Sequence, residues 1–266
     1  MQKQPIPNKS LGQHWLTDLP SLQAMVDAAE VTKTDTVLEI GPGLGTLTEL
    51  LTKQADQVVA VEYDKALAQS LHTCVKADNL VVISQDILRF DFTELPIDYK
   101  LSANIPYYLT SNLIRVLSET NNPPLVAALL VQKEVAQRVC AAPGSMSLLS
   151  VTAQFYWETS LGELVQAYLF TPPPKIDSQI LILKRRSDRL FPEVDPVQFF
   201  RVVKAGFGQR RKTLLNALSA GLHLDKPAIT ALLQTANLDP SARAQTLSLD
   251  DWHNFYKVIE TSVVRK

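Results

Sequence analysis

The sequence reads as an α/β protein, a doubly wound parallel sheet with helices on both faces, followed by a small all-α carboxy-terminal domain. Three observations predict this. Short apolar, β-branched runs alternate with segments of helical spacing through the first two thirds of the chain. Those runs lack the strict alternation of a half-exposed sheet, which implies strands buried on both faces. Beyond about residue 190, helical periodicity continues without strand-like runs. The composition agrees, since 266 residues with 46% hydrophobic and 20% charged suit a globular chain with one sizeable core and a smaller satellite.

Thr36–Ile40 (TVLEI) is the first strand, stopped by a glycine cluster. Helical spacing resumes over Thr46–Lys53, and Gln57–Glu62 (QVVAVE) closes a βαβ unit. Asp64–Lys76 is expected helical, Leu80–Ser84 and Lys100–Ala103 extended, Ser111–Ser118 helical and Leu125–Gln132 a buried strand. Gln179–Leu183 (QILIL) is the last strand, expected to pair with one around Glu163–Leu169. Asp188–Pro196 carries two prolines and mixed charge, the texture of a linker. Helices are expected over Val197–Val203, Thr213–Leu222, Pro227–Thr235 and Leu249–Ile259, which divides the chain into domains 1–189 and 190–266.

Several function classes fall away. The longest strongly apolar stretch, Leu125–Val131, is too short to span a bilayer, and Met1–Ser10 lacks the apolar core of a signal peptide, so a cytoplasmic protein without a membrane partner is expected. Cys74 and Cys140 are too far apart for the paired ligands of a zinc site, and His14, His72, His223 and His253 are scattered, so no metal is expected. The net charge of −1 hides a polarity: residues 1–170 carry 11 Lys+Arg against 18 Asp+Glu, whereas residues 171–212 carry 10 against 4. Such a basic island can neutralise phosphates locally.

The chemistry-bearing residues sit at strand ends. In Glu39-Ile-Gly41-Pro-Gly43-Leu-Gly45 the glycines let backbone amides approach a nucleotide-like ligand without Cβ interference. A dinucleotide fingerprint requires glycine at Thr46, so the loop instead resembles that of S-adenosylmethionine-dependent methyltransferases. Glu62, twenty-one residues beyond Gly41, is placed to accept both hydroxyls of a ribose, and Asp86 can accept from an adenine amino group. Asn104-Ile105-Pro106-Tyr107 is the most informative tetrapeptide. An adenine amine is a poor nucleophile because its lone pair is delocalised. The Asn104 side-chain oxygen and the Ile105 carbonyl supply two acceptors for its N–H bonds, Pro106 stiffens the turn, and Tyr107 offers a face for the base.

With these residues in place the chain resembles, nearly end to end, the ribosomal RNA adenine dimethyltransferases. The resemblance rests on Leu11-Gly-Gln-His-Trp-Leu-Thr-Asp18, the EIGPGLG loop, Glu62, Gln85-Asp86, NIPYYLTS (Asn104–Ser111), Gln132-Lys-Glu134 and Phe170-Thr-Pro-Pro-Pro-Lys-Ile-Asp-Ser178. It implies a class I, Rossmann-like methyltransferase that dimethylates two adjacent adenosines near the 3′ end of small-subunit ribosomal RNA. Within the immature small subunit, a monomer is expected to act. The resemblance further implies that His14, Leu16, Gly41, Glu62, Asp86 and Asn104 contact S-adenosylmethionine, with Gly43 and Gly45 in the same loop. Phe170 is implied as the partner of Tyr107 in sandwiching the base. The family usually has asparagine at His14 and phenylalanine at Trp15.

Ala205–Leu218 (AGFGQRRKTLLNAL) resembles the signature of the small-subunit enzymes rather than of the antibiotic-resistance branch that modifies large-subunit RNA. Arg210, Arg211 and Lys212, beside Arg201 and Lys204, are suited to gripping RNA phosphates. Two further readings remain at this level: a non-catalytic assembly factor, which does not require the two acceptors of Asn-Ile-Pro-Tyr, and a nicotinamide-dependent oxidoreductase, disfavoured by the glycine spacing.

Overall fold

The structure is a computed structural model that describes residues 12–209 and 211–263. It falls into two compact units, each taken by itself below: the residues up to Gln137 with Trp157–Arg185, and Arg138–Tyr156 with the residues from Arg186 onward.

The first unit begins with β1 (Trp15–Leu16) and α1 (Leu19–Ala28), whose first turn is capped by the Asp18 carboxylate accepting from Ser21 N–H. β2 (Thr36–Ile40), α2 (Thr46–Gln54), β3 (Gln57–Glu62), α3 (Lys65–Cys74) and β4 (Leu80–Ser84) form the first winding. β5 (Lys100–Asn104), α4 (Thr110–Glu119), β6 (Val126–Gln132) and α5 (Lys133–Val139) follow. β7 (Trp157–Val165), the two-residue β8 (Phe170–Thr171) and β9 (Ser178–Arg185) complete the unit. One seven-stranded sheet has the order β4-β3-β2-β5-β6-β9-β7, parallel from β4 to β6 and antiparallel at β9 and β7. A separate antiparallel ribbon pairs Trp15 with Thr171 and Leu16 with Phe170.

Met25 and Val26 of α1, Leu51 of α2 and Ala128 and Leu130 of β6 lie in one fully buried cluster. That burial on both sheet faces is why β2, β3 and β6 read as continuous apolar runs. The strand expected at 163–169 lies earlier, at 157–165. β7 is an edge strand whose middle residues face solvent, so WETSLGELV carries little hydrophobic signal. Its start is pinned by Trp157, which is buried and donates through Nε1 to Ser118 Oγ at 2.9 Å.

The second unit holds α6 (Leu148–Tyr156), α7 (Pro196–Phe207), α8 (Leu214–Leu222), α9 (Lys226–Thr235) and α10 (Leu249–Val263). Asp195 and Asp225 cap α7 and α9, each with proline in the first turn. Phe155, Phe199, Trp252 and Phe255 centre its core. A single boundary at 189/190 therefore differs from the observed division, because Arg138–Tyr156 packs with the helical unit. Phe155 gives the reason: it stacks on Phe199 at 5.0 Å between ring centroids, a long-range contact that no local pattern announces. No helix among the described residues is long and apolar enough to cross a membrane.

Candidate active site

β2, β3, β4 and β5 are adjacent and parallel, so their carboxy-terminal ends open onto one crevice, the place where α/β sheets bind ligands. A cavity of about 340 Å³ lies there. It is lined by His14 and Leu16, by Gly41 and Gly43, by Glu62 and Asp86, and by Asn104, Ile105, Pro106 and Tyr107. Sheet order brings Gly41, Glu62, Asp86 and Asn104 together, whereas His14 and Leu16 arrive beside them on the separate ribbon of β1 and β8.

Gly43 has φ +55°, and a Cβ there would sit 2.6 Å from Cζ3 of Trp15, so the loop and the indole exclude any side chain at this position. Glu62 ends β3 and ties the loop down: its carboxylate accepts from Gly43 N–H at 3.2 Å and from Asp64 N–H at 2.9 Å. Burial pushes the Glu62 carboxyl above its usual range, the Asp64 charge adds to that, and the two N–H bonds oppose it. Asp86 uses one oxygen to cap the turn at Leu88 N–H, 3.0 Å away.

Glu39 is fully buried beneath the glycine loop, lines the cavity, and leaves Oε2 without a hydrogen-bond partner. Desolvation, with the Glu62 charge, pushes its carboxyl up to about 8 against the opposing influence of the Thr48 hydroxyl, so at neutral pH it is mostly the neutral acid. Because the folded-state value is raised, this group's stabilisation is complete below pH ~4.5 and is lost as pH rises through about 8. The unfolding free energy of the ligand-free protein from urea titrations is therefore expected to fall from pH 5 to pH 8 relative to Glu39→Gln, by at most about 1.4 kcal/mol per pH unit. A difference that stays constant with pH would contradict this.

Asn104 Nδ2 donates to the His14 carbonyl at 3.4 Å. A carbonyl can only accept, so this contact fixes the amide's orientation and leaves Oδ1 as the acceptor. Among the described residues no donor is assigned to the Ile105 carbonyl. Tyr107 is held by a 2.7 Å hydrogen bond between its hydroxyl and Ser178 Oγ, and its ring stacks on His14 at 5.9 Å and 19°. The His14 ring is itself anchored, its Nδ1–H donating to the Pro172 carbonyl at 2.6 Å. The histidine thus reaches the loop after Phe170 with its ring and Asn104 with its backbone.

Two expected site residues lie elsewhere. Phe170 is 2% exposed, packs in the core beside Leu16 and does not line the cavity, because its strand partnership turns it inward. Gly45 does not line it either. A Cβ there would meet Val75 at 2.7 Å and Leu71 at 2.8 Å, so this glycine serves the close approach of α3 to the start of α2. Arg210 lies outside the described residues, as does Leu11 of the amino-terminal motif. Sequence reasoning missed the exposed Tyr63 and Tyr108, which line the cavity mouth, and Thr46, whose hydroxyl donates to the Leu16 carbonyl at 2.9 Å. The tyrosines carried a faint signal as direct neighbours of Glu62 and Tyr107, whereas the Thr46 contact carried none.

The family model and the curated relatives point to one family, and the solved structures share its fold. The family model described as "Ribosomal RNA adenine dimethylase" matches residues 6–261. A protein of Dehalococcoides mccartyi (strain CBDB1) named "Ribosomal RNA small subunit methyltransferase A" is 44% identical over 92% of this chain and 85% of its own length. Its namesake in Clostridioides difficile (strain 630) is 38% identical over 97% and 93%. Among solved structures, a dimethyladenosine transferase from Plasmodium falciparum superposes with a TM-score of 0.80 at 23% identity, covering 94% of this chain and 98% of the other. The 23S rRNA methyltransferase ErmE gives 0.73 at 26% identity, covering 92% and 99%.

Proposed function

From the premise that this chain belongs to the ribosomal RNA adenine dimethylase family, we propose that the crevice at the ends of β2–β5 is its catalytic site and takes S-adenosylmethionine. The protein is an rRNA adenine dimethyltransferase that acts on small-subunit ribosomal RNA. The chemistry of the cavity suits that cofactor: Cβ-free backbone at Gly41 and Gly43, carboxylates at successive strand ends, and a buried orphan acceptor on Glu39. When bound, it supplies an electrophilic methyl carbon on a sulfonium.

The remaining work is positioning. Glu62 accepts the ribose hydroxyls while holding Gly43, and the second oxygen of Asp86 accepts the adenine amino group of the cofactor. At the target, Asn104 Oδ1 and the Ile105 carbonyl accept the two N–H bonds of the nucleophilic amine, which favours pyramidalisation and aims its lone pair. Tyr107, pinned at both hydroxyl and ring, is the stacking platform. Phe170, as placed, cannot close the other side of a base, so the exposed Tyr108 at the mouth is the aromatic available there.

The single observation that carries this reading is the Asn104–His14 contact, which leaves the side-chain oxygen of a cavity-lining residue as an acceptor. The small-subunit assignment is supported by 44% and 38% identity to relatives named for the small subunit, over 92% and 97% of this chain. On this reading a monomer does the work, in the cytoplasm and on the immature subunit.

Tritiated-methyl transfer to small subunits from a strain without its own dimethyltransferase tests the reading. Incorporation, with primer-extension arrest at two adjacent adenosines of the small-subunit RNA, is expected. Arrest at one adenine of large-subunit RNA, or no incorporation, would sink it.

A further inference from the structure

The crevice at the ends of β2–β5 carries a charge that its own walls do not offset. The carboxyl groups of Glu39, Glu62 and Asp86 line it, and among the described residues neither a lysine nor an arginine does. The imidazole of His14, on the same wall, is committed through Nδ1–H to the Pro172 carbonyl. None of the three carboxyl groups pairs with a described cation. Their hydrogen bonds come from neutral donors instead: Gly43 and Asp64 N–H for Glu62, and Leu88 N–H for Asp86.

Glu39 registers the excess. It is fully buried, lines the cavity and leaves Oε2 without a partner. After burial itself, the Glu62 charge is what pushes its carboxyl up, so one acid of the pair gives up its charge in the presence of the other. A concave site with low-dielectric walls focuses such a potential on whatever enters it. A cation is therefore welcomed there and a neutral molecule gains nothing.

That potential separates two molecules of nearly the same shape. S-adenosylmethionine combines a carboxylate, an ammonium and a sulfonium, which leaves one net positive charge. Methyl transfer breaks the bond from sulfur to the methyl carbon with the electron pair staying on sulfur, forms the bond from that carbon to the amine nitrogen, and releases one proton from the amine to solvent. The thioether left behind, S-adenosylhomocysteine, has no net charge.

We propose that the crevice selects its ligand by charge: Glu62 and Asp86, with no cation on the walls to offset them, hold the sulfonium donor more tightly than the neutral product. The spent molecule is thereby released in favour of a fresh donor after each transfer. The proposal rests on the cofactor reading above. Dimethylation makes the exchange necessary, because each adenine consumes two donors through the same crevice.

Calorimetry on the full chain at pH 7.5 tests this with three ligands: S-adenosylmethionine, S-adenosylhomocysteine and sinefungin, in which an ammonium group on carbon replaces the methylsulfonium. The first and third are each expected to bind at least about tenfold more tightly than the second. Glu62→Gln and Asp86→Asn weaken all three ligands through lost hydrogen bonds, so the ratio of affinities is the informative quantity. Each variant should narrow that ratio by about threefold. Glu49→Gln, which removes an exposed carboxylate of α2 outside the cavity, should leave the ratio at its wild-type value. Equal or tighter binding of S-adenosylhomocysteine by the wild type would overturn the proposal, as would sinefungin binding no more tightly than S-adenosylhomocysteine. So would a ratio unchanged in both Glu62→Gln and Asp86→Asn, or one narrowed equally by Glu49→Gln. Failure of all three ligands to bind the wild type would instead sink the cofactor reading itself, and this proposal with it.

Discussion

Asn104→Ala is expected to lower kcat by roughly 10²–10³-fold, the scale seen when one preorganised polar group is removed from a developing charge. The substitution deletes the side-chain acceptor whose orientation the His14 carbonyl sets, while the Ile105 carbonyl remains in the same turn. One of two N–H bonds of the amine then goes unheld. The effect should fall on kcat far more than on KM for the subunit, because the deleted acceptor is proposed to hold only the reacting amine. Asn104→Asp is instructive beside it: a carboxylate placed against the His14 carbonyl loses the donor that fixed the side chain, so it should not restore the rate. Single-turnover methyl transfer with saturating cofactor measures both. A kcat for Asn104→Ala within threefold of wild type would remove the residue from the chemistry.

Glu62→Ala should weaken S-adenosylmethionine binding by about a hundredfold, on the scale of two charge-assisted hydrogen bonds. The carboxylate is the only described partner of Gly43 N–H and of Asp64 N–H, so its removal also orphans two donors at the base of the glycine loop. A loss of stability of about 1–3 kcal/mol is expected from that alone. Glu62→Gln separates the two effects, since an amide oxygen can still serve one donor. The raised Glu62 carboxyl adds a pH signature. Cofactor affinity of the wild type should decline with falling pH sooner than an ordinary glutamate would allow, and the Glu62→Gln profile should be flat over that range. Calorimetric titrations from pH 5 to pH 8 are sufficient, and parallel profiles for the two proteins would contradict the assignment.

Much of the site was legible from the chain because its parts are local. Gly41, Gly43, Glu62, Asp86 and Asn104 each stand at the end of an apolar run, and a parallel sheet brings successive strand ends to one edge. The strands themselves were legible for the same reason: Gln57–Glu62 and Leu80–Ser84 occur where their β-branched runs place them. Edge strand β7 was misplaced and helices α5 and α6 went unseen, since a solvent-facing edge and short amphipathic segments carry weak patterns.

The placements that sequence did not anticipate were those depending on a neighbour far along the chain. The resemblance implied Phe170 as the second face for a base, yet pairing with Leu16 turns it into the core. Gly45 belongs to the glycine loop in sequence and to the packing of α3 in space. His14, whose departure from asparagine suggested a changed cofactor contact, spends its ring on Pro172 and Tyr107 and its carbonyl on Asn104. Of the cations that sequence grouped, Lys204 and Lys212 line one cleft together with Arg138, which lies in a segment assigned to the sheet domain, whereas Arg201 and Arg211 do not line it.

By itself the sequence determined the α/β class and the standing of Gly41, Glu62, Asp86 and Asn104 at the ends of strands, since these follow from residue type and periodicity over a few neighbours. Tertiary structure alone decided which aromatic rings line the cavity, which glycines border it and which cations share a cleft. Those outcomes are set by close packing between segments distant in the chain, where one buried contact excludes another and no local pattern records which of them wins.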